Sequence, residues 1–252
     1  MKQLLIIVLF AFSIQINSQK TAKEFTNLIE GKHLKANFLN QKFISYDIEV
    51  SFGGKKVLQG NFTQETGGGK IKLTKSDGAI VLFEGNEVYG KGIPEEGKGS
   101  ARFHIFTWPY FLGLPYKLND GGTIWSDFSE QKWGTDTLAT GKLAFESGTG
   151  DAPDDWYIVY KGTNNTIAGA AYIVSYGKGK EAAEKEPHAI KYNDYRMIEG
   201  IPFSTDWSFH MWNLEEGYTD TIGKVVLKNI KFLNEADFSI PTQSVVIKNP
   251  NK

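Results

Sequence analysis

Cysteine is missing from all 252 residues, and that absence removes several chemistries at once. Thiol nucleophiles, thiol redox exchange and Cys-ligated zinc are excluded, and so are the disulfides that staple small exported domains. The acylated cysteine of a lipoprotein is absent too, which excludes a covalent lipid anchor. No charge of one sign dominates: 28 Lys and Arg stand against 29 Asp and Glu, a formal net charge of −1. These charges are scattered along the whole length, so there is no basic stripe for nucleic acid. Beyond the N-terminus no segment approaches the roughly 18 uncharged apolar residues of a membrane span, so the mature chain is expected to be soluble. Internal repeats and low-complexity tracts are also missing.

Catalytic signatures are equally scarce. None of the four histidines, His33, His104, His188 and His210, sits in a metal-ligand spacing such as H-E-x-x-H. No G-x-S-x-G elbow occurs, and "TGGGK" at 66–70 has no strand-to-helix context for a phosphate loop. His210 alternates with Phe209 and Met211 on a strand and reads as an ordinary half-exposed histidine. Asp151, Asp154 and Asp155 put three carboxylates within five residues. Pro153 and the lack of a distal bidentate Glu argue against a calcium loop, so a solvated turn is the plainer reading. The sequence therefore predicts no catalytic residue, no metal and no cofactor.

What is present begins at the N-terminus. Met1-Lys2-Gln3 precedes an apolar run from Leu4 to Phe12, and the chain turns polar from Ser13 to Lys20. One positive charge, a short apolar core and a small residue near position 18 predict a secretory signal peptide over 1–18. Its removal takes away Lys2, so the net charge moves from −1 to −2 and 234 residues remain, enough to bury a core. Residues 19–252 are read as one domain, periplasmic or secreted.

A short amphipathic helix is expected from Thr21 to Gly31, with Ala22, Phe25, Leu28 and Ile29 at helical spacing. The period then changes to two. "FISYDIEVSF" at 43–52 alternates as a half-buried antiparallel strand does, and Gly53-Gly54, Asp77-Gly78 and Gly85-Asn86 punctuate the following strands as hairpin turns. Strand patterns resume at "DTLATGKLAFES", "DWYIVYKGTNNTIAGAAYIVSYG", "IPFSTDWSFHMWN" and "TIGKVVLKNIKF", while "KGKEAAEKEP" at 178–187 reads as a solvated connection. Strands that follow strands, with no room for helical crossovers, exclude a parallel α/β sheet. About ten strands in a single large curved antiparallel sheet or open barrel is the expected architecture, mainly β with few helices.

Between these strands lies "TWPYFLGLPYKLNDGG", residues 107–122, which is aromatic and nearly uncharged and is broken by Pro109, Gly113 and Pro115. Helical spacing at Phe103, Phe106, Tyr110 and Phe111 predicts an irregular helix over Ala101 to Leu112, ended by Gly113 and Pro115. Aromatics also occupy both faces of one strand, Trp156 and Tyr160 opposite Tyr157, so that sheet must be covered on both sides. "AGAA" at 168–171 puts four small residues on a strand, either as the wall of a cavity or as a seat for the side chains of 101–118. The ligand-binding residues expected from this are Trp108, Tyr110, Phe111, Leu112, Leu114 and Tyr116 on the covering segment, with Ala168 and Ala170 beneath.

Three blocks carry a resemblance. The first holds Trp108, Pro109, Tyr110, Pro115, Leu118 and Asp120, and the second Gly150, Asp151, Pro153, Asp154, Asp155 and Tyr157. The third holds Tyr195, Arg196, Gly200, Ile201, Pro202 and Phe203. Together they resemble a family of exported proteins of Bacteroidetes-type bacteria (DUF6503-like), itself similar to the LolA/LolB lipoprotein-carrier fold. The resemblance implies a half-open barrel of about eleven antiparallel strands whose concave face is covered by short helices, with a cavity for acyl chains between them. LolA-type carriers also use an arginine in the transfer of lipoproteins; Arg102 opens the covering segment and Arg196 lies in a strand block, and neither matches it. The expected function is that of an exported, non-enzymatic, monomeric binding protein for a lipid or another hydrophobic small molecule, with transient contacts to an envelope protein. Two alternatives remain open at this point. One is a hydrolase of glycans or esters with the Asp151–Asp155 loop and a histidine at its cleft, and the other is an envelope interaction module with a fully packed core.

Overall fold

The structure is a computed structural model, and it describes residues 20–249; the expected signal peptide at 1–18 lies outside them. Helix α1 (20–32) and helix α2 (Lys35–Leu39) lead into the sheet. On α1 the buried face is Phe25, Thr26, Ile29 and Glu30, whereas Leu28 is 49% exposed and does not join the stripe read from the sequence.

Among the described residues thirteen antiparallel strands form one curved, open sheet. Its first five, β1 (Phe43–Phe52), β2 (Lys55–Glu65), β3 (Ile71–Lys75), β4 (Ile80–Glu84) and β5 (Glu87–Lys91), are a meander. Helix α3 (Lys98–Gly113) and a 3-10 turn (Leu114–Tyr116) follow. The second meander is β6 (Thr123–Trp133), β7 (Asp136–Phe145), β8 (Tyr157–Lys161), β9 (Ile167–Tyr172), β10 (His188–Ile198), β11 (Ile201–Asn213) and β12 (Gly217–Leu233), with the single turn α4 (Lys180–Ala183) before β10. The last strand, β13 (Val245–Val246), adds to the free edge of β5.

The expected strand positions recur, but the count of about ten rises to thirteen. In β6 only Trp133 is buried, so the strand shows little apolar alternation, and β13 has only two residues. At the first hairpin Gly53 and Gly54 both take positive φ, 54° and 74°, the pair that a two-residue turn needs to match strand twist.

The order of strands in the sheet dictates where α3 goes. The first meander runs outward from β1 to β5, the second starts at the opposite edge with β6, and β12 closes the seam by pairing with β1. The chain between β5 and β6 must therefore cross the full width of the sheet. It does so over the inner face, where Trp108 and Phe111 meet Phe209 of β11 at ring-centroid distances of 5.9 and 5.7 Å. Among the described residues no helix is long and apolar enough to cross a membrane.

Strand β12 shows how a bulge overrides alternation. Sequence parity puts Val225 and Leu227 opposite Ile230 and Phe232. Asn229, at φ 53° beside the register shift with β1, breaks the period, and all four pack into the inner core.

The outer face carries its own cluster, built on Trp133, Leu138, Ile158, Tyr160, Ala171 and Ala189. Trp133 lies 4.1 Å from the ring of Tyr160 and 4.9 Å from that of Tyr218. The ammonium of Lys191 sits 4.5 Å over Tyr218, so a lysine partly covers the patch. This cluster gives the small residues of β9 a different role from the one read in the sequence. A Cβ at Gly169 would overlap both the Trp133 ring and the Ile190 carbonyl oxygen, and Ala168 and Ala171 lie on the same outer side. A register shift at Tyr160/Lys161 places both Ala168 and Gly169 there. Of the four, Ala170 alone joins the inner core.

Candidate functional site

Helix α3 spans Lys98–Gly113, slightly longer than the expected 101–112, and carries Pro109 inside it. Pro109 has no N–H to donate to the Ile105 carbonyl, which weakens the ladder at that point. Beneath and beside the helix lies a hollow of about 1010 Å³, at the upper end of the roughly 300–1,000 Å³ of small-molecule sites. Its walls come from the helix and from both meanders: Phe52 of β1, Phe83 of β4, Phe145 of β7, Tyr157 of β8, Tyr172 of β9 and Phe209 of β11.

The residues expected to contact ligand separate into two groups. Trp108, Tyr110 and Phe111 line the hollow. Leu112 and Tyr116 lie behind them around a gap of about 10 Å³ beside His33, and Leu114 is fully buried in the core. The 3-10 turn tucks this second half against α2, with Phe38 and Tyr116 stacked at 4.0 Å and the Tyr116 hydroxyl donating to the Pro202 carbonyl at 3.2 Å. Ala168 and Ala170 do not line the hollow. The aromatic stretch is thus a cover over its first half and a plug over its second.

The hydrolase alternative expects the Asp151–Asp155 loop and a histidine at a cleft, and Asp151, Asp155, His104 and His188 do line the hollow; how they pair is not legible in the sequence. Arg102 is buried and donates twice to Asp151, Nε to Oδ2 at 2.7 Å and Nη2 to Oδ1 at 3.0 Å. Its Nη1 donates to the Ile247 carbonyl at 2.7 Å, which ties α3 to the chain beside β13. All three donating nitrogens of the guanidinium that meet protein are therefore engaged, and its charge is matched. Lys117 is similarly paired, 3.1 Å from Asp120.

His104 sits one helical turn before Trp108. Trp108 Nε1 can only donate, and it lies 3.0 Å from His104 Nδ1, so that nitrogen is the acceptor and Nε2 carries the proton. Nε2 then donates to Ser100 Oγ, 3.2 Å away. Burial lowers the imidazole to about 4, in keeping with the neutral form. His33 is likewise lowered to about 4, chiefly by burial, and its Nε2 accepts the Ile167 N–H at 3.1 Å. His210, read as half-exposed, is only 6% exposed, with its ring nitrogens 2.9 Å from the Thr219 carbonyl and from Ser208 Oγ.

The three clustered carboxylates diverge. Asp151 goes to Arg102, Asp154 is exposed, and Asp155 lines the hollow. Asp155 accepts the Ser175 N–H at 2.7 Å, and burial raises its carboxyl to about 6 against the pull of that bond. The adjacent loop could have been singled out as structured, since Gly150 takes a φ of 70° there, but which carboxylate faces inward is not a property of spacing.

No family model matches the chain, and no curated protein matches it. Among solved structures it is similar to a LolA superfamily protein from Nitrosomonas europaea, with a TM-score of 0.55 at 10% identity over 88% of this chain and 97% of that one. A DUF1329 family protein from Desulfovibrio piger aligns with a TM-score of 0.46 at 10% identity, over 88% of this chain and 97% of that one. A domain from Vibrio parahaemolyticus described as an outer membrane lipoprotein-sorting protein aligns with a TM-score of 0.46 at 7% identity, over 83% and 95%. The fold is LolA-like.

Proposed function

We propose that the protein is an exported, unanchored binding protein that houses the apolar part of a lipid between its curved sheet and α3. The observation that carries this reading is the hollow of about 1010 Å³ walled by aromatic rings from both meanders. A fully packed interaction module would lack such a space. The likeness to a LolA superfamily fold supports the reading at the level of architecture. Kinship with the Bacteroidetes-type exported family, a domain running from 19 to 252, removal of 1–18, a monomeric state, a periplasmic or secreted location and a passing envelope partner belong to the same proposal.

Apolar burial sets what such a site can achieve. Each CH₂ group placed in the hollow contributes about 0.8 kcal/mol, so ten contribute about 8 kcal/mol. Association costs roughly 4–15 kcal/mol, so a chain alone gives modest affinity and polar contacts at its head decide the outcome.

The hydrolase alternative rests on the Asp151–Asp155 loop with a histidine at the cleft. Asp155, His104 and His188 share the hollow, but Asp151 is tied to Arg102 and Asp154 is exposed, so no second free carboxylate of the loop faces it. Ester cleavage would further need a nucleophile beside a base. Ser100 and His104 are the nearest approach to one on this wall, but Nδ1 of that imidazole is occupied by Trp108 and the proton faces Ser100. A histidine in that tautomer donates to the serine rather than taking its proton. The binding reading is therefore preferred. Its test is native mass spectrometry of the purified mature protein, before and after delipidation, with thermal shifts on adding fatty acids and phospholipids. Co-purified lipid or a rise in Tm that depends on ligand concentration is expected; the absence of both would overturn the proposal.

A further inference from the structure

One end of the hollow is polar in a particular way. Tyr157 and Tyr172 are 8% and 6% exposed, line the hollow, and have hydroxyls with no hydrogen-bond partner among the described residues. Tyr110 joins them from α3, its ring 5.3 Å from that of Tyr157, and Tyr157 stacks on Tyr172 at 6.1 Å. Phe111 closes against Tyr172 at 5.0 Å. Asp155 lines the same space and acts electrostatically on all three phenols, whose acidity it weakens further beyond the effect of burial.

The charges around this end do not balance. Asp155 has no salt bridge among the described residues, and the like charge of Asp154 acts on it. The arginine and lysine of the wall are taken, Arg102 by Asp151 and Lys117 by Asp120, and burial holds the imidazole of His188, 6.1 Å from Tyr172, toward its neutral form. A half-buried carboxylate without a cation is costly, and tyrosine faces attract positive charge. Resting on the lipid-binding reading above, we infer that this end of the hollow takes the ammonium head of an amphiphile, held between the Asp155 carboxylate and the rings of Tyr110, Tyr157 and Tyr172. A carboxylate head would meet repulsion from Asp155, and an alcohol head would leave the charge unmatched. The raised carboxyl of Asp155 accords with this, because it records a charge that the Ser175 N–H offsets only in part and that no cation meets.

The test is calorimetric titration of the mature, delipidated protein at pH 7.5 with dodecylamine, dodecanol and dodecanoate, each below its aggregation concentration. The amine is expected to bind about tenfold or more tightly than the alcohol and the acid. Asp155→Asn is expected to bring the amine to within about threefold of the alcohol, with the circular dichroism spectrum and the cooperativity of urea unfolding reporting an intact fold. Equal binding of the three, preference for the acid, or a preference for the amine that survives in Asp155→Asn would overturn the inference and leave the binding reading standing. Failure of all three to bind the unaltered protein would overturn both.

Discussion

Asp155→Asn should stabilise the protein at neutral pH and make it more sensitive to acid. The carboxyl of Asp155 is raised from 3.8 to about 6 by burial, so at pH 7.5 the folded protein holds a charge that its surroundings disfavour. Between pH 6 and 3.8 the folded state holds a proton on Asp155 that the unfolded chain lacks, and stability rises as pH falls through that window. The two imidazoles of His33 and His104, lowered from 6.5 to about 4, act in the opposite sense. Between pH 6.5 and 4 the unfolded chain carries protons there that the folded protein refuses, so stability is lost as pH falls. Each group changes stability by about 1.4 kcal/mol per pH unit within its window. Two losses against one gain give a net fall of about 1.4 kcal/mol per unit between pH 6 and 4, and His188, also lowered by burial, steepens it. Removing the Asp155 titration by Asn removes the compensation. The variant is then more stable by up to about 3 kcal/mol at pH 7.5, its slope is steeper by about 1.4 kcal/mol per unit, and the two curves converge near pH 4. Urea unfolding followed by tryptophan fluorescence at half-unit steps from pH 4 to 8 measures this directly. A variant no more stable than the parent at pH 7.5, or a gap that does not close toward pH 4, would refute the claim that Asp155 is a half-buried charge without a cation. Loss of ammonium preference in the same stabilised variant would mark Asp155 as a residue kept for function at some expense in stability.

Asp151→Asn leaves the buried Arg102 guanidinium short of its counter-charge and should cost about 3–5 kcal/mol; hydrogen exchange at Val246 and Ile247 should rise with it, because Arg102 also holds the Ile247 carbonyl. Gly169→Val drives a side chain into Trp133 and should cost about 1–3 kcal/mol or more in chemical denaturation, while amphiphile affinity stays unchanged because the clash is on the outer face. Val174→Trp places a bulky ring into the hollow and should reduce lipid uptake in native mass spectra by about tenfold or more, with a loss of stability below about 1.5 kcal/mol since open space receives it. Unchanged uptake in that variant would mean that the hollow is not where lipid goes.

Much of the strand framework was legible because alternation and turn chemistry are local. Phe43–Phe52 and Ile201–Asn213 coincide with strands read from period two, and Gly53-Gly54 turns as its residues require. Strand β6 was missed since a strand with one buried residue in eleven leaves little hydrophobic signal. The candidate site was legible only in part. Aromatic density on an expected helix points to Trp108, Tyr110 and Phe111, but Leu112 faces away from the hollow on the last turn of α3, and Leu114 and Tyr116 belong to the 3-10 turn that follows it. Of the small residues of β9 only Ala170 faces the inner core, because a one-residue bulge decides which face each takes and no pattern in "AGAA" marks it.

The sequence by itself determined the class of the protein: antiparallel strands without crossovers, no thiol chemistry, no anchor cysteine, and one aromatic segment too broken to be a strand. These follow from period, composition and turn residues, each of which acts over a few neighbours. Only the tertiary structure decided that this segment crosses the sheet from edge to edge, because the crossing follows from β12 pairing with β1 and leaving β5 and β6 on opposite edges. It decided, too, that Arg102 spends its charge on Asp151 while Asp155 faces tyrosines without a cation. Long-range pairing sets which charges meet, and spacing along the chain carries no record of it.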